Sequence, residues 1–410
     1  MVKDISTGNY YSSTPDNFTA FGNLLLFTAN LRNRDIFIGR ELWASDGTEA
    51  GTVLVKDINP GGPSSYPGYL TPVGGQLLFA ANDGVQGKEL WQVTFPIAAL
   101  SGPSDGVRYQ PRIFQFIGLD PAPIASFSID WGDGSTQVIA GPSPAFVAHA
   151  FTATGTYTVT MTTTDVNGNL SDPVSQTIAI SVIEQQGTEL AVGGTAGDDN
   201  LFVRKGGTKT TIEVLLNGAS LGTFANPSLF LFYGGDGNDQ TTITASGLAT
   251  LQDGGAGNDL LQGGDSGNIL IGGPGNDTLT GGVGRDILIG GIGADKLKGL
   301  EGDDILIGGA TDFDTNETAL KAILAEWSRT DADYLTRVHH LDGSLAGGLN
   351  GPYFLNATTV HDDGAADRLF GGNGQDWFLA SSNDQADQHD GEIVTTIGGA
   401  VTAMARQGRS

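Results

Sequence analysis

Aspartate recurs at intervals of nine residues in a glycine-rich stretch between positions 254 and 307. Each repeat follows the scheme G-G-x-G-x-D-x-U-x, in which U is apolar. The six contiguous units begin at Gly254, Gly263, Gly272, Gly281, Gly290 and Gly299. Glycine lets backbone carbonyls crowd inward, and carbonyls together with a carboxylate are the hard oxygen ligands that Ca²⁺ prefers. The spacing therefore predicts a row of calcium sites.

A unit of this length has room for a six-residue turn followed by a three-residue strand. Two units then form one 18-residue coil with a turn on each flank, and adjacent coils lie one strand spacing apart, about 4.8 Å. One ion can therefore take ligands from two stacked turns. We define two flanks by the residues that stack on them: the Asp277 flank (Asp259, Asp277, Asp295) and the Asp286 flank (Asn268, Asp286, Asp304).

The apolar residue at the eighth position of each unit is expected to point into a thin core. These residues are Leu261, Leu270, Leu279, Leu288, Leu297 and Leu306. The scheme resembles the RTX (hemolysin-type) calcium-binding nonapeptide repeat over residues 254–309. That resemblance implies a parallel β-roll, with Ca²⁺ as its cofactor.

The predicted metal ligands lie in this run and in isolated or degenerate copies of the nonapeptide outside it. Those in the run are Gly254, Asp259, Asn268, Gly272, Asp277, Gly281, Asp286, Gly290, Asp295, Gly299 and Asp304. Those outside it are Asp199, Asp239, Asp367 and Asp376. Asp199 and Asp239 have no stacked neighbour 18 residues away, so a ligand role and a solvated turn remain equally open for them.

Three residues depart from the scheme. Ser266 replaces a glycine and Asn268 replaces the aspartate in the unit that begins at Gly263, and Leu300 replaces the second glycine of the last unit. An amide is a weaker calcium ligand than a carboxylate. We therefore expect the site between Asn268 and Asp286 to be weak or empty.

The composition agrees with a cation-binding protein. The chain has 410 residues, 63 of them glycine, and carries a formal net charge of −26. Such an acidic surface repels nucleic acid and anionic membranes.

The sequence has no apolar run of the length that spans a bilayer, about 18 residues or more. It also has no cysteine, which permits a bacterial extracellular protein without a disulfide framework. The N-terminal residues lack the basic and apolar regions of a signal peptide.

Residues 1–100 contain a repeat of about fifty residues, a length typical of β-propeller blades. The recurring segments are "VKDI" at 2–5 and 55–58, "LLLFTAN" at 24–30 with "QLLFAAN" at 76–82, and "ELW" at 41–43 and 89–91. This part resembles the "ELWxSDGTxxGTxLVKDI" repeats of large bacterial surface proteins, which implies two propeller-blade-like β repeats. Two blades cannot close a propeller. We expect either further blades to associate or the chain to be the tail of a longer protein.

Residues 101–184 alternate β-branched and polar residues, a pattern that predicts a two-sheet sandwich. The segment resembles the PKD (polycystic-kidney-disease) module through "WGDGS" and the pattern "H-x-F…G-T-Y-T-V-T…D…G". The matching residues are Trp131, Asp133, Gly134, His149, Gly155, Tyr157 and Asp165. The resemblance implies an immunoglobulin-like module without catalysis. His149 is expected to be a core histidine hydrogen-bonded near the turn.

The remaining segments are a β region with isolated nonapeptide copies (185–253), a helical insert (310–361), and degenerate copies with a C-terminal tail (362–410). In the insert, Leu320, Ile323, Leu324 and Trp327 follow helical spacing, with Thr315 or Asn316 as a cap and Asp331 as a break. We expect this helix to cover the end of a β structure. The predicted fold class is therefore mainly β: propeller-blade-like repeats, an immunoglobulin-like sandwich and a parallel β-roll with a short helical insert.

Two motifs suggest chemistry that their context disfavours. "GDSG" at 264–267 surrounds the nucleophile of serine proteases, but here it lies in register inside the repeat. The adjacent His339 and His340 point about 100° apart on a helix and cannot chelate one ion. We therefore expect no enzyme activity.

The leading hypothesis is a non-enzymatic, modular bacterial protein at the cell surface or in the extracellular space. Its expected roles are calcium binding and a structural or adhesive function toward an extracellular protein or carbohydrate. One alternative is an accessory C-terminal region of a larger secreted hydrolase. Another is a carbohydrate-binding module in which exposed Trp43 and Trp91 stack on sugars, although burial of both in blade cores is the favoured reading.

Overall fold

A computed structural model describes residues 1–6, 12–32, 37–398 and 402–403. The described part is mainly β, and neither of its two helices is long and apolar enough to cross a membrane. The chain divides into two compact units. The first, here called the N-terminal unit, comprises residues 1–104, 112–149 and 156–179. The second, the roll unit, comprises residues 105–111, 150–155 and 180–410.

The N-terminal unit begins with two antiparallel sheets that correspond to the two sequence repeats. The first sheet contains β1 (Asp16–Phe21), β2 (Leu24–Arg32), β3 (Phe37–Ser45) and β4 (Thr52–Lys56). The second contains β5 (Gly68–Val73), β6 (Gln76–Asn82) and β7 (Lys88–Thr94). The repeated Phe pairs with the repeated Trp in both sheets, as Phe27 with Trp43 and Phe79 with Trp91. The sequence repeat is thus a structural repeat.

The same unit contains a sandwich of two further antiparallel sheets. One is formed by β8 (Ile97–Ser101), β10 (Arg112–Leu119) and β13 (Ala145–His149). The other sheet includes β11 (Ile124–Asp130), β12 (Thr136–Ala140), β14 (Gly155–Asp165) and β15 (Val174–Ser181). The short strand β9 (Asp105–Val107) belongs to the roll unit. Trp131 packs edge-on against Phe114 and Phe116 at ring distances of 5.3 and 5.8 Å, and its ring stacks on that of His149. His149 Nε2 lies 2.8 Å from Asp133 Oδ2, so it is hydrogen-bonded at the turn as expected.

Two long sheets of mostly parallel strands form the roll unit. The first, here called the covered sheet, contains β16 (Ile183–Gln186), β17 (Glu189–Gly193), β21 (Phe230–Asp236), β23 (Thr250–Ala256), β25 (Ile269–Pro274), β27 (Ile287–Ile292), β29 (Ile305–Ile307), β33 (Trp377–Ala380) and β35 (Ile393–Thr396). The second, the open sheet, contains β18 (Asn200–Lys205), β19 (Thr211–Leu216), β20 (Ala219–Ala225), β22 (Gln240–Ile243), β24 (Leu260–Gln262), β26 (Thr278–Val283), β28 (Lys296–Glu301), β32 (Arg368–Asn373), β34 (Gln385–Ala386) and β36 (Thr402–Ala403).

The strands of the roll are stacked with the predicted 18-residue register. Leu270 pairs with Leu288 and Leu288 with Leu306 in the covered sheet, whereas Leu279 pairs with Leu297 in the open sheet. All six leucines at the eighth position of the repeats are fully buried in one cluster between the two sheets. The leucine column is therefore the inner core of the coil.

The outer faces of the two sheets differ. The covered sheet carries isoleucine on both sides of each core leucine, in "ILI" at 269–271, 287–289 and 305–307, and these isoleucines are buried. The open sheet has "TLT" at 278–280 and "KLK" at 296–298, whose flanking side chains are half-buried or exposed. A strand that is apolar on both faces must be covered on both faces.

Two short helices supply this cover: α1 (Glu317–Trp327) and α2 (Tyr334–Asp342). Leu320, Ile323 and Trp327 of α1 join the cluster that contains the outer isoleucines. The expectation that a helix covers the end of the β structure is therefore wrong, because the helices lie on a face of the sheet. The "ILI" triplets, which occur in alternate units, were the sequence signal for this arrangement.

The helical insert leaves the roll and returns to it without disturbing the stack. β28 pairs directly with β32, and β29 pairs directly with β33. The ends of the insert meet in a two-stranded sheet of β30 (Ala310–Thr311) and β31 (Val360–His361). Residues 185–253 and 362–398 contribute strands to the same two sheets as the central repeats. The segments that the sequence separates at 253 and 361 thus form one continuous roll.

Glycine at the fourth position of the repeat is required by the close approach of successive coils. A Cβ on Gly275 would come closer than 3.0 Å to the carbonyl oxygen of Gly257 in the preceding coil, and Gly275 has a φ of +153°. The second position also has positive φ, which is +99° at Gly273. Leu300 occupies this second position with a φ of +83° and is 44% exposed. Its side chain is therefore held in a conformation that suits glycine.

Leu300→Gly is expected to stabilise the roll. Relief of the left-handed conformation is worth about 1–2 kcal/mol, and the greater freedom of glycine in the unfolded chain costs about 0.5–1 kcal/mol. We therefore expect the free energy of unfolding to rise by about 0.5–1 kcal/mol in a denaturant titration. Leu300→Ala is the control, since alanine keeps the strained φ and should give no gain. A loss of stability in the glycine variant would contradict this account.

Candidate metal centre

The aspartates of the repeat form columns along the flanks of the roll. On the Asp277 flank, the backbone N–H of Asp259 donates to Asp277 Oδ1, and that of Asp277 donates to Asp295 Oδ1, both at 2.7 Å. On the Asp286 flank, the N–H of Asp286 donates to Asp304 Oδ1 at 2.9 Å. One carboxylate oxygen of each residue thus connects its turn to the preceding coil.

Both columns extend beyond the contiguous run. The N–H of Asp199 donates to Asp239 Oδ1 and that of Asp239 donates to Asp259 Oδ1, across 40 and 20 residues of sequence. Asp295 connects in the same way to Asp367, and Asp304 to Asp376, each across 72 residues. Asp199 and Asp239 therefore do have stacked neighbours, contrary to expectation. The longer separations come from inserted segments, such as the β19–β20 hairpin, which continues the open sheet beyond β18.

One further member of the column was missed from the sequence. Asp384 is buried, and its Oδ1 accepts the N–H of Asp367 at 3.0 Å. Its distance from Asp367 is 17 residues, so it falls out of the 18-residue register, and no glycine pair precedes it. The sequence carries no repeat signal for it, and only the pairing of β34 with β32 places Asp384 beside Asp367.

The second oxygen of most of these carboxylates is left without a hydrogen bond. It is buried and has no partner among the described residues in seven aspartates: Asp239, Asp259, Asp277, Asp286, Asp295, Asp304 and Asp376. A buried polar atom without a partner is costly, and a run of them is rare in folded proteins. Oxygens placed in this way are suited to ligate a cation.

The first glycine of each unit shows what these oxygens face. A Cβ on Gly272 would lie closer than 3.0 Å to Asp277 Oδ2 and also to the carbonyl oxygen of Gly290 in the next coil. The corresponding predicted glycines at Gly254, Gly281, Gly290 and Gly299 repeat this arrangement, each with its own turn's aspartate and the next coil's carbonyl. Two acceptors therefore converge on the space that the glycine leaves free.

A hard divalent cation fits this set of donors. Carboxylate and carbonyl oxygens from two stacked turns are the ligands of Ca²⁺, and the set contains no sulfur or imidazole nitrogen that would favour a transition metal. Asp199 and Asp384 differ, because their Oδ2 atoms accept hydrogen bonds from the backbone N–H groups of Thr195 and Ser381. The open oxygens thus lie inside the columns rather than at the two ends of the Asp277 flank.

Burial also disfavours the ionised form of these carboxylates. Burial, together with the charge of the neighbouring carboxylates in each column, raises the pKa of Asp277 to about 8 and that of Asp304 to about 9. The same main cause, burial, raises the pKa of the others: Asp239, Asp286, Asp295 and Asp376 to about 7, Asp259 to about 6 and Asp367 to about 8. A bound cation would reverse this penalty.

Asn268 is placed in the Asp286 column but presents a different group. It is fully buried, and its Nδ2 takes the place that Oδ2 takes in the aspartate turns, close to Gly263 and to the carbonyl of Gly281. Leu300, the other departure, leaves its turn intact, because Asp304 keeps its open oxygen.

The motifs that suggested catalysis have structural roles. Within the described residues no hydrogen bond joins Ser266 to a histidine, and the Ser266 carbonyl accepts a hydrogen bond from the Asn268 side chain. His340 is buried with its Nδ1 2.6 Å from Glu326 Oε1, whereas His339 is exposed. The two histidines therefore do not share a ligand, as expected.

Comparisons with known proteins agree with this geometry. The family described as RTX calcium-binding nonapeptide repeat (4 copies) matches residues 253–288, 280–312 and 357–384. The family described as PKD domain matches residues 94–182. The chain carries RTX calcium-binding repeats and a PKD domain. The RTX repeats bind Ca²⁺, and the two modules fit a calcium-binding modular protein of the surface or secreted class.

Solved structures similar to the chain include two PKD domains. One is the PKD domain of an M14-like peptidase from Thermoplasmatales archaeon SCGC AB-540-F20, with 23% identity over 22% of this chain and 98% of the other, and a TM-score of 0.20. The other is the PKD1 domain of the Vibrio cholerae metalloprotease PrtV, with 29% identity over 21% of this chain and 96% of the other, and a TM-score of 0.18. No curated protein matches the chain.

Asp277→Ala is expected to remove two calcium ions, because Asp277 is shared by the sites it forms with Asp259 and with Asp295. The structure also places Asp304 between Asp286 and Asp376, so Asp304→Ala should remove two ions, whereas the contiguous repeats alone predict one. Isothermal titration would give the number of ions bound. Asp236→Ala, which removes an exposed carboxylate from a turn of the same flank, is the control and should bind as many ions as the wild type. Unchanged stoichiometry in Asp277→Ala would refute the shared site.

The calcium-free roll should become less stable as pH rises from 5 to 8.5. The aspartate pKa values are raised in the folded state above the ordinary value of 3.8. The folded roll therefore binds more protons than the unfolded chain in this range, and its stability is lost as pH rises through the folded pKa values. Thermal unfolding in chelator would show a falling midpoint. With saturating calcium the pH dependence should shrink, and a calcium-free midpoint that rises with pH would contradict the prediction.

Proposed function

We propose that this chain is a non-enzymatic structural or adhesive part of a bacterial protein at the cell surface or in the extracellular space. In this proposal, calcium ions between stacked turns convert residues 254–307 and their flanking coils into a rigid roll. The ligands are the predicted aspartates and glycines together with the carbonyls that line each turn. The observation that carries the proposal is the row of seven buried carboxylate oxygens without a partner.

Extracellular calcium suits such sites. Extracellular modules bind Ca²⁺ with dissociation constants on the order of 10⁻⁴–10⁻³ M, far above the free calcium that a cell maintains in its interior. In this proposal the roll is largely unfolded at the low calcium of the cell interior and folds outside the cell. The net charge of −26 opposes folding through self-repulsion until cations neutralise part of it. These considerations support an extracellular site of action.

The N-terminal repeats support a structural role more than sugar binding by their tryptophans. Trp43 is 4% exposed and packs against Phe27. Trp91 is half-buried, and its Nε1 donates to the carbonyl of Ala81 at 3.2 Å. Trp43 is therefore part of a sheet core, and the Trp91 indole N–H is engaged within its own sheet. We accordingly do not expect these two indoles to be the main contacts of an adhesive ligand, whether protein or carbohydrate.

Removal of calcium should expose the roll to protease while the PKD domain stays intact. Without ions, the open carboxylates repel each other and the glycine-rich coils regain their large conformational entropy. The PKD domain has an ordinary apolar core, with Trp131, Val159 and Met161 buried. Limited proteolysis of the full chain in chelator should cut first within residues 254–307, and calcium should prevent that cleavage.

Magnesium at the same ionic strength is the control for a general salt effect. It should protect poorly, because Mg²⁺ demands a tighter octahedral geometry than stacked backbone carbonyls provide. Equal protease resistance of the roll with calcium, with magnesium and in chelator would overturn the proposal.

A further inference from the structure

The turn that contains Asn268 differs from the neighbouring turns by one chemical exchange. Where Asp286 and Asp277 direct a carboxylate oxygen at the carbonyl of the next coil, Asn268 directs an NH₂ group. The oxygen is an acceptor facing an acceptor, whereas the NH₂ group is a donor facing an acceptor. Without a cation, the same backbone geometry is therefore unfavourable in the aspartate turns and favourable in the Asn268 turn.

The Asn268 amide makes a full set of contacts in this position. Its Nδ2 lies within hydrogen-bond distance of four oxygens, which share its two N–H groups: the carbonyls of Gly264, Ser266 and Gly281, and Asp286 Oδ1. Two of these acceptors belong to its own turn and two to the next coil, so the amide bridges the two turns as an ion would.

The orientation of the amide is determined by its other end. Asn268 Oδ1 accepts hydrogen bonds from the N–H and the hydroxyl of Thr250 and from the N–H of Gly264. Exchanging the oxygen and nitrogen would place donors against donors and an acceptor against four acceptors. The NH₂ group therefore faces the cage of oxygens.

The side of this turn toward the N-terminus is also held together without ions. Thr250 accepts a hydrogen bond from Gln252 Nε2, and Gln252 Oε1 accepts one from the hydroxyl of Thr241, both at less than 3.0 Å. Gln252 stands in the ladder of core leucines, paired with Leu270. All of these side chains are buried. A buried network of side-chain hydrogen bonds thus joins Asn268 to the coil before it.

We infer that the Asn268 side-chain amide replaces the calcium ion between its turn and that of Asp286, so that the turn at residues 263–268 keeps its contacts with the next coil in the absence of calcium. The inference rests on the proposed calcium binding of the other turns. It gives the Asp286 flank an ion-free first turn, from which the calcium-dependent turns of that flank continue in register. At low calcium this turn keeps the stack aligned for the ions that follow.

Hydrogen exchange of the full chain in chelator tests this inference. Peptides covering residues 263–268 should exchange at least tenfold more slowly than peptides covering residues 272–295. In Asn268→Asp the NH₂ group becomes a carboxylate oxygen, so residues 263–268 should lose their protection in chelator and regain it in calcium. This variant should also bind one more calcium ion than the wild type in isothermal titration, a readout that holds even if its calcium-free form unfolds.

Asn276→Asp is the matched control. Asn276 lies in an adjacent turn, is exposed, and uses its Oδ1 to accept the N–H of Ala294, a role that an aspartate keeps. The substitution gives up only the exposed hydrogen bond that Asn276 Nδ2 donates to Asn258 Oδ1 at 3.2 Å. The variant should retain the wild-type exchange pattern and stoichiometry. The inference is overturned if wild-type residues 263–268 exchange as fast as 272–295 in chelator, or if Asn268→Asp binds no additional ion. Protection of 272–295 by calcium reports separately on the proposed function.

Discussion

The stacked aspartate turns of the central repeats each direct a buried carboxylate oxygen at a carbonyl oxygen of the next coil. Two acceptors in a dry space repel each other unless a cation or a proton lies between them. The open oxygens of seven aspartates show how often this situation is repeated. The glycines allow the close approach, and the leucines hold the coils together from inside. In the proposed function, the unfavourable oxygen pairs make the assembly depend on calcium.

The helical insert is connected to the same turns. Trp327 Nε1 donates to the carbonyl of Asp303, and the Tyr334 hydroxyl donates to the carbonyl of Asp376, both at 2.7 Å. The guanidinium of Arg337 is buried, forms an ion pair with Asp303 at 2.6 Å and lies over the Trp327 ring. These contacts reach turns of the Asp286 flank directly. The insert therefore covers the isoleucine face and also fixes the turns that carry the last aspartates of this column.

Much of the roll was predictable because the repeat encodes its own geometry. The nonapeptide period determined the coil, the leucine core and the stacking of Asp259, Asp277 and Asp295. The longer reach of the columns was not predictable from a fixed period, since Asp239 and Asp367 join across insertions of different lengths. Asp384 was missed for the same reason. What places these residues is pairing between strands far apart in sequence, which a local pattern does not record.

Anomalous diffraction from crystals grown with a lanthanide in place of calcium would test the central claim most directly. The account predicts two rows of metal peaks along the roll, one on each flank, with neighbouring peaks about one strand spacing, 4.8 Å, apart. The peaks should lie between successive aspartate turns, with a gap between Asn268 and Asp286. Peaks on exposed carboxylates outside these rows, with none between stacked turns, would contradict the account.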